Sequence, residues 1–352
     1  MEELIELGRI DMDPSRRGAL SAGLFSVALT VPGWPDVVSR MEFAVSGHAR
    51  RIGRADVEVV EAMTGRLSEL DDQFGGRHAR PMTASFLVNT VGPLLRADAS
   101  TEVRNAVYSA AAFLSYLTGW MAVDEGLHGL AQRYYVKGLQ LAGAAGDHRT
   151  YCHILRGMSV QAVDLGHGST ALRLANASAS AAPNTGPRLR AFMSGQVAHS
   201  CAVAGDRAAA LRSLRETEVA VDQAESSTRT FGGYGPSTLA YHTAQVRYAL
   251  GDIAGSVSSL HLASRLRDPT RRRTRVRLDS FLAERQLELG QLEAACATWD
   301  RVLDDYPFVD SARADDRIAT MRALLRPHSS APCAKELLER TRGILATRAK
   351  KP

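Results

Sequence analysis

The feature that most constrains this chain is a glycine that returns at nearly constant spacing. Gly126, Gly166, Gly205, Gly251 and Gly290 lie 40, 39, 46 and 39 residues apart. Each follows one apolar pattern of helical period and precedes another, and a glycine at the end of a helix permits the left-handed turn into the next helix. The spacing therefore predicts five helix pairs built as repeats of one structural unit.

The clearest unit is residues 287–307, LELGQLEAACATWDRVLDDYP. After Gly290, the small residue Ala295 allows two helices to approach closely, Trp299 fills the groove between repeats, and Pro307 stops the helix. This order resembles the second half of a tetratricopeptide repeat, although the spacing between anchor glycines exceeds the ~34 residues of that repeat. Longer helices or longer linkers would account for the difference.

Composition points to the same class. The chain has 45% hydrophobic but only 6% aromatic residues, with abundant Ala and Leu, which suits packed helices better than β-sandwiches. We predict an all-α fold, a tetratricopeptide-repeat-like α-solenoid forming a right-handed superhelix of antiparallel helix pairs. The predicted organisation is an N-terminal segment (1–35), an N-terminal helical capping region (36–105), the repeats (106–310) and C-terminal capping helices (311–352).

Charge and cysteines bear on the compartment. The net charge of +5 is a mild surplus and weak evidence for nucleic acid. The four cysteines form no Cys-x-x-Cys motif, which favours reduced core thiols of a cytoplasmic protein. Residues 15–34 imitate a twin-arginine export signal, but the acidic residues before them and Pro32 oppose export, and the stretch is too short and too glycine-rich for a membrane span. We expect a cytoplasmic protein without membrane contact.

Four stretches carry a family resemblance: residues 53–76, 113–147, 155–178 and 311–328. Together they resemble the tetratricopeptide-like C-terminal region of actinobacterial transcriptional regulators that begin with a Cro/repressor-type helix-turn-helix. The resemblance covers residues 50–345 and implies a regulatory role, in transcription or in the control of development or secondary metabolism. Since the first residues leave no room for a helix-turn-helix, the resemblance implies a member whose DNA-binding domain is lost or truncated.

Motifs that carry chemistry are missing from the sequence. It contains no Gly-x-Ser-x-Gly, His-Glu-x-x-His, Walker loop or strand-linked Gly-x-Gly-x-x-Gly. Adjacent carboxylates such as Asp71 and Asp72 point in different directions on a helix. We predict no catalytic residue, no metal site, no cofactor and a protein that is not an enzyme.

The concave groove is the candidate site. In a helical repeat of this kind, the first helix of each pair lines the groove through positions ten, six and three residues before the anchor glycine. A mixture of rings, Arg, His and Gln there suits a peptide or protein segment, and packing between repeats is the alternative role of the aromatic side chains. The predicted groove residues are Tyr116, Trp120, His153, Arg156, His199, Tyr241, Gln245 and Tyr248.

The predicted function is binding of a peptide, a small signalling molecule or a protein partner, and the pattern leaves a homodimer open. The alternative is direct nucleic-acid binding through the arginine-rich residues 265–277, RLRDPTRRRTRVR. We predict that these residues connect two repeats, with Thr270 or Thr274 as the N-cap of the following helix. Contacts to an acidic partner or to nucleic acid would fall to Arg271, Arg272, Arg273 and Arg275.

Overall fold

The computed structural model describes residues 1–13, 25–26, 29, 52–181, 186–224 and 235–349. All regular secondary structure in these ranges is helical, and no strand occurs in them. The all-α prediction is therefore confirmed. Of the stretch that imitates an export signal, only Phe25, Ser26 and Leu29 fall within the described residues.

The helices before the first anchor glycine are α1 (Glu2–Met12), α2 (Arg54–Phe74), α3 (Gly76–Phe86), α4 (Gly92–Leu95) and α5 (Thr101–Asp124), with a π-helical turn at Leu87–Val91. The helices that follow are α6 (His128–Ala145), α7 (His148–Asp164), α8 (Gly168–Ser180), α9 (Pro187–Val203), α10 (Arg207–Asp222), α11 (Pro236–Ala249), α12 (Ile253–Arg265), α13 (Arg272–Glu288), α14 (Leu292–Asp305), α15 (Ala312–Leu325) and α16 (Pro332–Arg348). Short 3₁₀ turns at Tyr306–Phe308 and Arg326–His328 follow α14 and α15.

The five anchor glycines adopt one conformation. Each is the middle residue of a three-residue turn between two helices, and their φ angles lie between +75° and +86°. The backbone N–H of the residue after each glycine donates to the carbonyl five positions earlier at 2.8–2.9 Å, for example Leu127 to Ala122 and Gln291 to Gln286. A left-handed glycine with this bond ends a helix and reverses the chain. The glycine-anchored turns were thus predictable from the sequence.

Neighbouring helices pack in sequence order. Within each pair the two helices lie against each other, and the second helix contacts the first helix of the next pair. The first helices α5, α7, α9 and α11 also pack in succession, and α13 packs on α15. Asp147, Asp206 and Asp252 begin α7, α10 and α12 by accepting a hydrogen bond from a backbone N–H three residues on.

The arginine-rich stretch is the connection that was expected, but its cap is different. Helix α12 ends at Arg265 and α13 begins at Arg272, with Arg271 at the N-cap position. Thr270 instead donates its hydroxyl to the Asp268 carboxylate at 2.7 Å. The N-cap prediction was therefore wrong, because a carboxylate two residues away satisfies Thr270 locally.

The largest apolar cluster lies in the N-terminal half and runs from Leu4 to Leu174. Helix α1, which was not predicted, contributes Leu4 and Ile5 to it, each 1% exposed. A second cluster centres on Trp299, which is fully buried as expected for a residue that fills a groove between helices. The cysteines are free thiols, three buried and one, Cys333, half-buried.

Two helices that are far apart in the sequence meet. Helix α2 packs against α13, and the turn between α2 and α3 pairs with the backbone of Asp310, whose N–H donates to the carbonyl of Phe74 at 2.6 Å. Gly75, at φ +94°, lies so close that a Cβ there would overlap the Asp310 carbonyl. We call this contact, with the ion pairs described below, the junction.

Candidate functional site

Residues predicted for the groove meet on one face of the first helices. The Tyr116 ring on α5 stands edge-on to the His153 ring on α7, with centroids 4.4 Å apart. His153 in turn contacts Phe192 on α9 at 5.0 Å, and the Arg156 guanidinium lies 3.7 Å above the Phe192 ring. Side chains of three successive first helices therefore form a continuous row, and we call the face of the first helices that carries it the inner face.

Two glycines allow aromatic rings of a neighbouring helix to approach α5 and α7 closely. A Cβ at Gly157 of α7 would come within 2.7 Å of the Tyr116 ring, and one at Gly119 of α5 within 2.7 Å of the Tyr135 ring on α6. Both glycines lie in helix interiors, where glycine costs stability relative to alanine. Their presence there indicates that ring packing outweighs helix propensity.

The eight predicted groove residues differ in accessibility. Tyr116, His153, Arg156 and Gln245 are buried, with 7–8% of their surface exposed. Trp120, His199 and Tyr241 are half-buried, and Tyr248 is 41% exposed. The four buried residues pack between helices, which the sequence left open as the alternative role of the aromatic side chains. The other four retain exposed surface that a ligand could contact.

The last two pairs continue the face with arginines that the sequence did not single out. Arg285 on α13 lies 4.1 Å above the Tyr248 ring and donates to the Gln245 side-chain oxygen at 2.6 Å. Tyr248 donates its hydroxyl to Glu288 at 3.1 Å. Arg277 lies 6.0 Å from the Tyr241 ring. Tyr241 and Tyr248 are thus presented beside guanidinium groups.

The junction is made by the arginine-rich connection. Arg273 donates to Asp71 at 2.8 Å, to Asp72 at 3.1 Å and to Asp124 at 3.4 Å, and its side chain is 10% exposed. Arg271 lies 3.4 Å from Asp72. These carboxylates come from α2 and α5, so the acidic surface that Arg273 contacts belongs to the same chain.

Two further arginines of this connection lie beside Asp305. Arg275 donates to both oxygens of Asp305, and Arg272 lies 3.8 Å from Asp305 and 5.1 Å from the Phe308 ring. Arg273 and Arg275 are therefore committed to carboxylates within the fold, whereas Arg271 and Arg272 keep 53% and 40% of their side chains exposed.

Burial shifts the titration of the junction. Burial raises the pKa of Asp71 to about 8, against the opposing effect of Arg273. Burial by itself lowers the pKa of Arg273. The three carboxylates of Asp71, Asp124 and Asp72 outweigh burial, so the pKa of Arg273 is raised above its usual range. Three carboxylates around one guanidinium carry an excess of negative charge, so one of them is the natural proton acceptor.

A second ionic contact joins α7 to the C-terminal helices. Asp164 accepts from Arg277 at 2.9 Å and also pairs with Arg313 of α15. Burial acts to raise the pKa of Asp164, but the two arginines outweigh it and lower the pKa. Burial also lowers the pKa of His199 to about 4 and that of His153 to about 3, so both imidazoles are neutral near pH 7.

One sequence signal could have found two of these carboxylates. Asp124 and Asp164 each stand two residues before an anchor glycine, in the last turn of a helix. A carboxylate is disfavoured there by the helix dipole, so its recurrence calls for a cation from elsewhere. For Asp71 and for the arginines that reach these groups, the sequence offers no equivalent signal.

In the described ranges, no three His, Cys, Asp or Glu side chains are grouped so that they could hold a metal ion. Helix α5 is long and apolar enough to cross a membrane by length and composition, but 72% of that stretch is buried among other helices, as in the core helix of a globular fold.

The arrangement offers rings, guanidinium groups and neutral imidazoles along a helical face. Comparison with family models and with curated proteins gives no match, so the function of the chain is inferred from this geometry.

Proposed function

We propose that the chain is a non-enzymatic regulatory protein of the tetratricopeptide-like α-solenoid type, acting in the cytoplasm. Its inner face would bind a peptide, a small signalling molecule or a segment of a protein partner. The family resemblance suggests control of transcription, development or secondary metabolism, exerted through a partner.

The observation that carries the proposal is the row of accessible rings beside guanidinium groups. Trp120, Tyr241 and Tyr248 retain exposed surface, and each ring has an arginine within 6.0 Å of its centroid. Rings supply apolar area at low entropic cost, and arginines supply charge-assisted hydrogen bonds, the combination enriched where proteins bind partners. Five successive three-residue turns with identical glycine geometry support the solenoid arrangement.

The junction suggests how binding would be transmitted. It connects α2 to α13 across 202 residues of sequence through charged groups. A ligand that prefers one curvature of the helix array would bind better with the junction either closed or open, and would shift that equilibrium by its difference in affinity.

The proposal is tested with material that co-purifies with the protein from its native host, identified by mass spectrometry and titrated back by calorimetry. We expect Tyr241→Ala combined with Tyr248→Ala to weaken its binding at least about 10-fold, equivalent to ~1.4 kcal/mol. Phe308→Ala is the control, since Phe308 is 58% exposed but is not among the rings of the inner face. Equal binding by the double variant and the control would show that the inner face is not the site.

A further inference from the structure

Two of the four cysteines lie side by side. Cys296 on α14 and Cys333 in the first turn of α16 belong to one apolar cluster, and their thiols are in hydrogen-bond contact. Helices α14 and α16 also pack directly on each other. Cys152 and Cys201 belong to two other clusters. The fold therefore brings together two thiols that are separated along the chain by the whole of α15.

The two thiols of this pair differ in exposure. Cys296 is 5% exposed, whereas Cys333 is half-buried. Burial, together with the contact to Cys333, raises the pKa of the Cys296 thiol to about 12, so this thiol is protonated near pH 7. A reagent from solvent therefore reaches Cys333 first, and Cys296 is the thiol placed behind it.

The contact suits a covalent bond between the two side chains. A disulfide brings its sulfur atoms to ~2.05 Å, which is a short displacement from a hydrogen-bond contact and requires only rotation of the two side chains. A metal ion bound by thiolates needs further ligands. Among the described residues, no group of three His, Cys, Asp or Glu side chains could supply them. The pair is therefore a dithiol.

We propose that Cys296 and Cys333 are a redox-modification site, at which a low-molecular-weight disulfide oxidises them reversibly to a disulfide. The Cys333 thiolate attacks one sulfur of the small disulfide, forms a mixed disulfide and displaces one small thiolate. Cys296 then loses its proton and attacks the Cys333 sulfur, which forms the Cys296–Cys333 bond and displaces the second small thiolate. The two protons end on the two small thiols, so the protein loses two hydrogen atoms and the small disulfide gains them.

The bond ties α16 to α14, and it does so independently of the proposed function. In the reduced protein, apolar packing and the ion pairs of Arg340 with Asp300 and Asp304 join these helices, and exposed ion pairs contribute little stability. The disulfide closes residues 296–333 into a loop, which lowers the conformational entropy of the unfolded chain. Oxidation thus stabilises the C-terminal end of the helix array, and reduction reverses this. Cytoplasmic disulfides are typically transient and redox-sensing.

The test equilibrates the full chain with oxidised and reduced glutathione, blocks the remaining thiols by alkylation and maps the peptides by mass spectrometry. We expect a cross-linked peptide that contains Cys296 and Cys333, with Cys152 and Cys201 alkylated. The oxidised protein should melt at least about 2 °C higher than the reduced protein, and dithiothreitol should reverse the difference. No disulfide, a stable glutathione adduct on the wild type, or a different cysteine pair overturns the proposal.

Variants separate the two steps. Cys296→Ala is expected to stop at the mixed disulfide, with one glutathione on Cys333. Cys333→Ala is expected to stay unmodified and to melt at the same temperature under oxidising and reducing conditions. Cys201→Ala, at a buried cysteine of another cluster, is the matched control and forms the Cys296–Cys333 disulfide as the wild type does. If oxidation still raised the melting temperature of Cys333→Ala, the stabilisation would have another source and the proposal would be wrong.

A last measurement distinguishes a pair favoured by the fold from two cysteines that react by chance. A bond that stabilises the fold must itself be favoured by folding. The folded protein should therefore reach half oxidation at a ratio of oxidised to reduced glutathione at least about 10-fold lower than the protein unfolded in urea, a difference of ~1.4 kcal/mol. Equal ratios for the folded and unfolded protein overturn the proposal.

Discussion

The packing of α5 against α6 and the junction between α2 and α13 both bury side chains, but by different means. On α5 and α6, Leu114, Met121, Tyr134 and Tyr135 are fully buried, and Gly119 allows the Tyr135 ring to approach α5. At the junction, the buried groups are Arg273, Asp71 and Asp124, joined across 202 and 149 residues.

The two regions should respond differently to pH, salt and substitution. Apolar packing is nearly independent of pH and salt and gains stability from every neighbour. An ion pair in a water-poor place gains little over an apolar contact, but it fixes geometry and loses much stability when one partner is removed. We therefore expect the packing between neighbouring helices to be insensitive to pH and the junction to be the contact most sensitive to pH and to substitution.

The largest effect is expected from breaking the junction. Arg273→Ala should lower the free energy of unfolding by ~3–5 kcal/mol, because Asp71 and Asp124 remain buried without their cation. The measurement is urea unfolding at pH 7, with hydrogen exchange to show whether α2 and α13 lose protection together. Arg272→Ala, at a half-exposed arginine, should stay within ~0.5 kcal/mol of the wild type. A loss below ~1 kcal/mol for Arg273→Ala would contradict the role assigned to the junction.

A comparable but chemically distinct loss is expected in the apolar body. Leu114→Ala should cost ~2–5 kcal/mol through lost burial and the cavity left behind. Unlike Arg273→Ala, its cost should be the same at pH 5 and pH 8, since no charged group is uncovered. Leu262→Ala, at a leucine that is 42% exposed, serves as the control in the same unfolding measurements. A strong pH dependence of the loss in unfolding free energy caused by Leu114→Ala would contradict the distinction between the two regions.

A pH-dependent effect, smaller over any single pH unit, is expected from Asp71→Asn. The pKa of Asp71 is raised from its usual value to about 8, so its protonated form is favoured in the folded state. Its contribution to stability is therefore greatest below pH 4 and is lost as the pH rises toward 8. Relative to Asp71→Asn, the wild type should lose up to ~1.4 kcal/mol per pH unit between pH 4 and pH 8. Chemical unfolding of both proteins across this range provides the check, and a difference that grows in the opposite direction would mean that Arg273 keeps Asp71 ionised.

The local features of the fold were readable from the sequence because each depends on neighbours along the chain. The glycine turns follow from a backbone requirement at one residue, and the burial of Trp299 follows from its place in the repeat register. The π-helical turn and helix α1 were missed, since neither has a turn or periodicity signal strong enough to separate it from its surroundings.

The candidate site was predicted in part. Trp120, Tyr241 and Tyr248 were found by register alone, and the structure leaves them accessible. The same register selected Tyr116, Arg156 and Gln245, which are buried. Register gives the direction of a side chain but not what lies opposite it, and only the fold brings Arg285 onto Gln245 and Phe192 beneath Arg156.

By itself, the sequence determined that the chain is helical and where its repeated turns lie, because helical period and glycine conformation act over a few residues. The tertiary structure decided what the arginine-rich connection does. Arg273 finds its carboxylates only where α13 packs against α2 and α5, and no local pattern encodes which carboxylate more than a hundred residues away will be buried beside it.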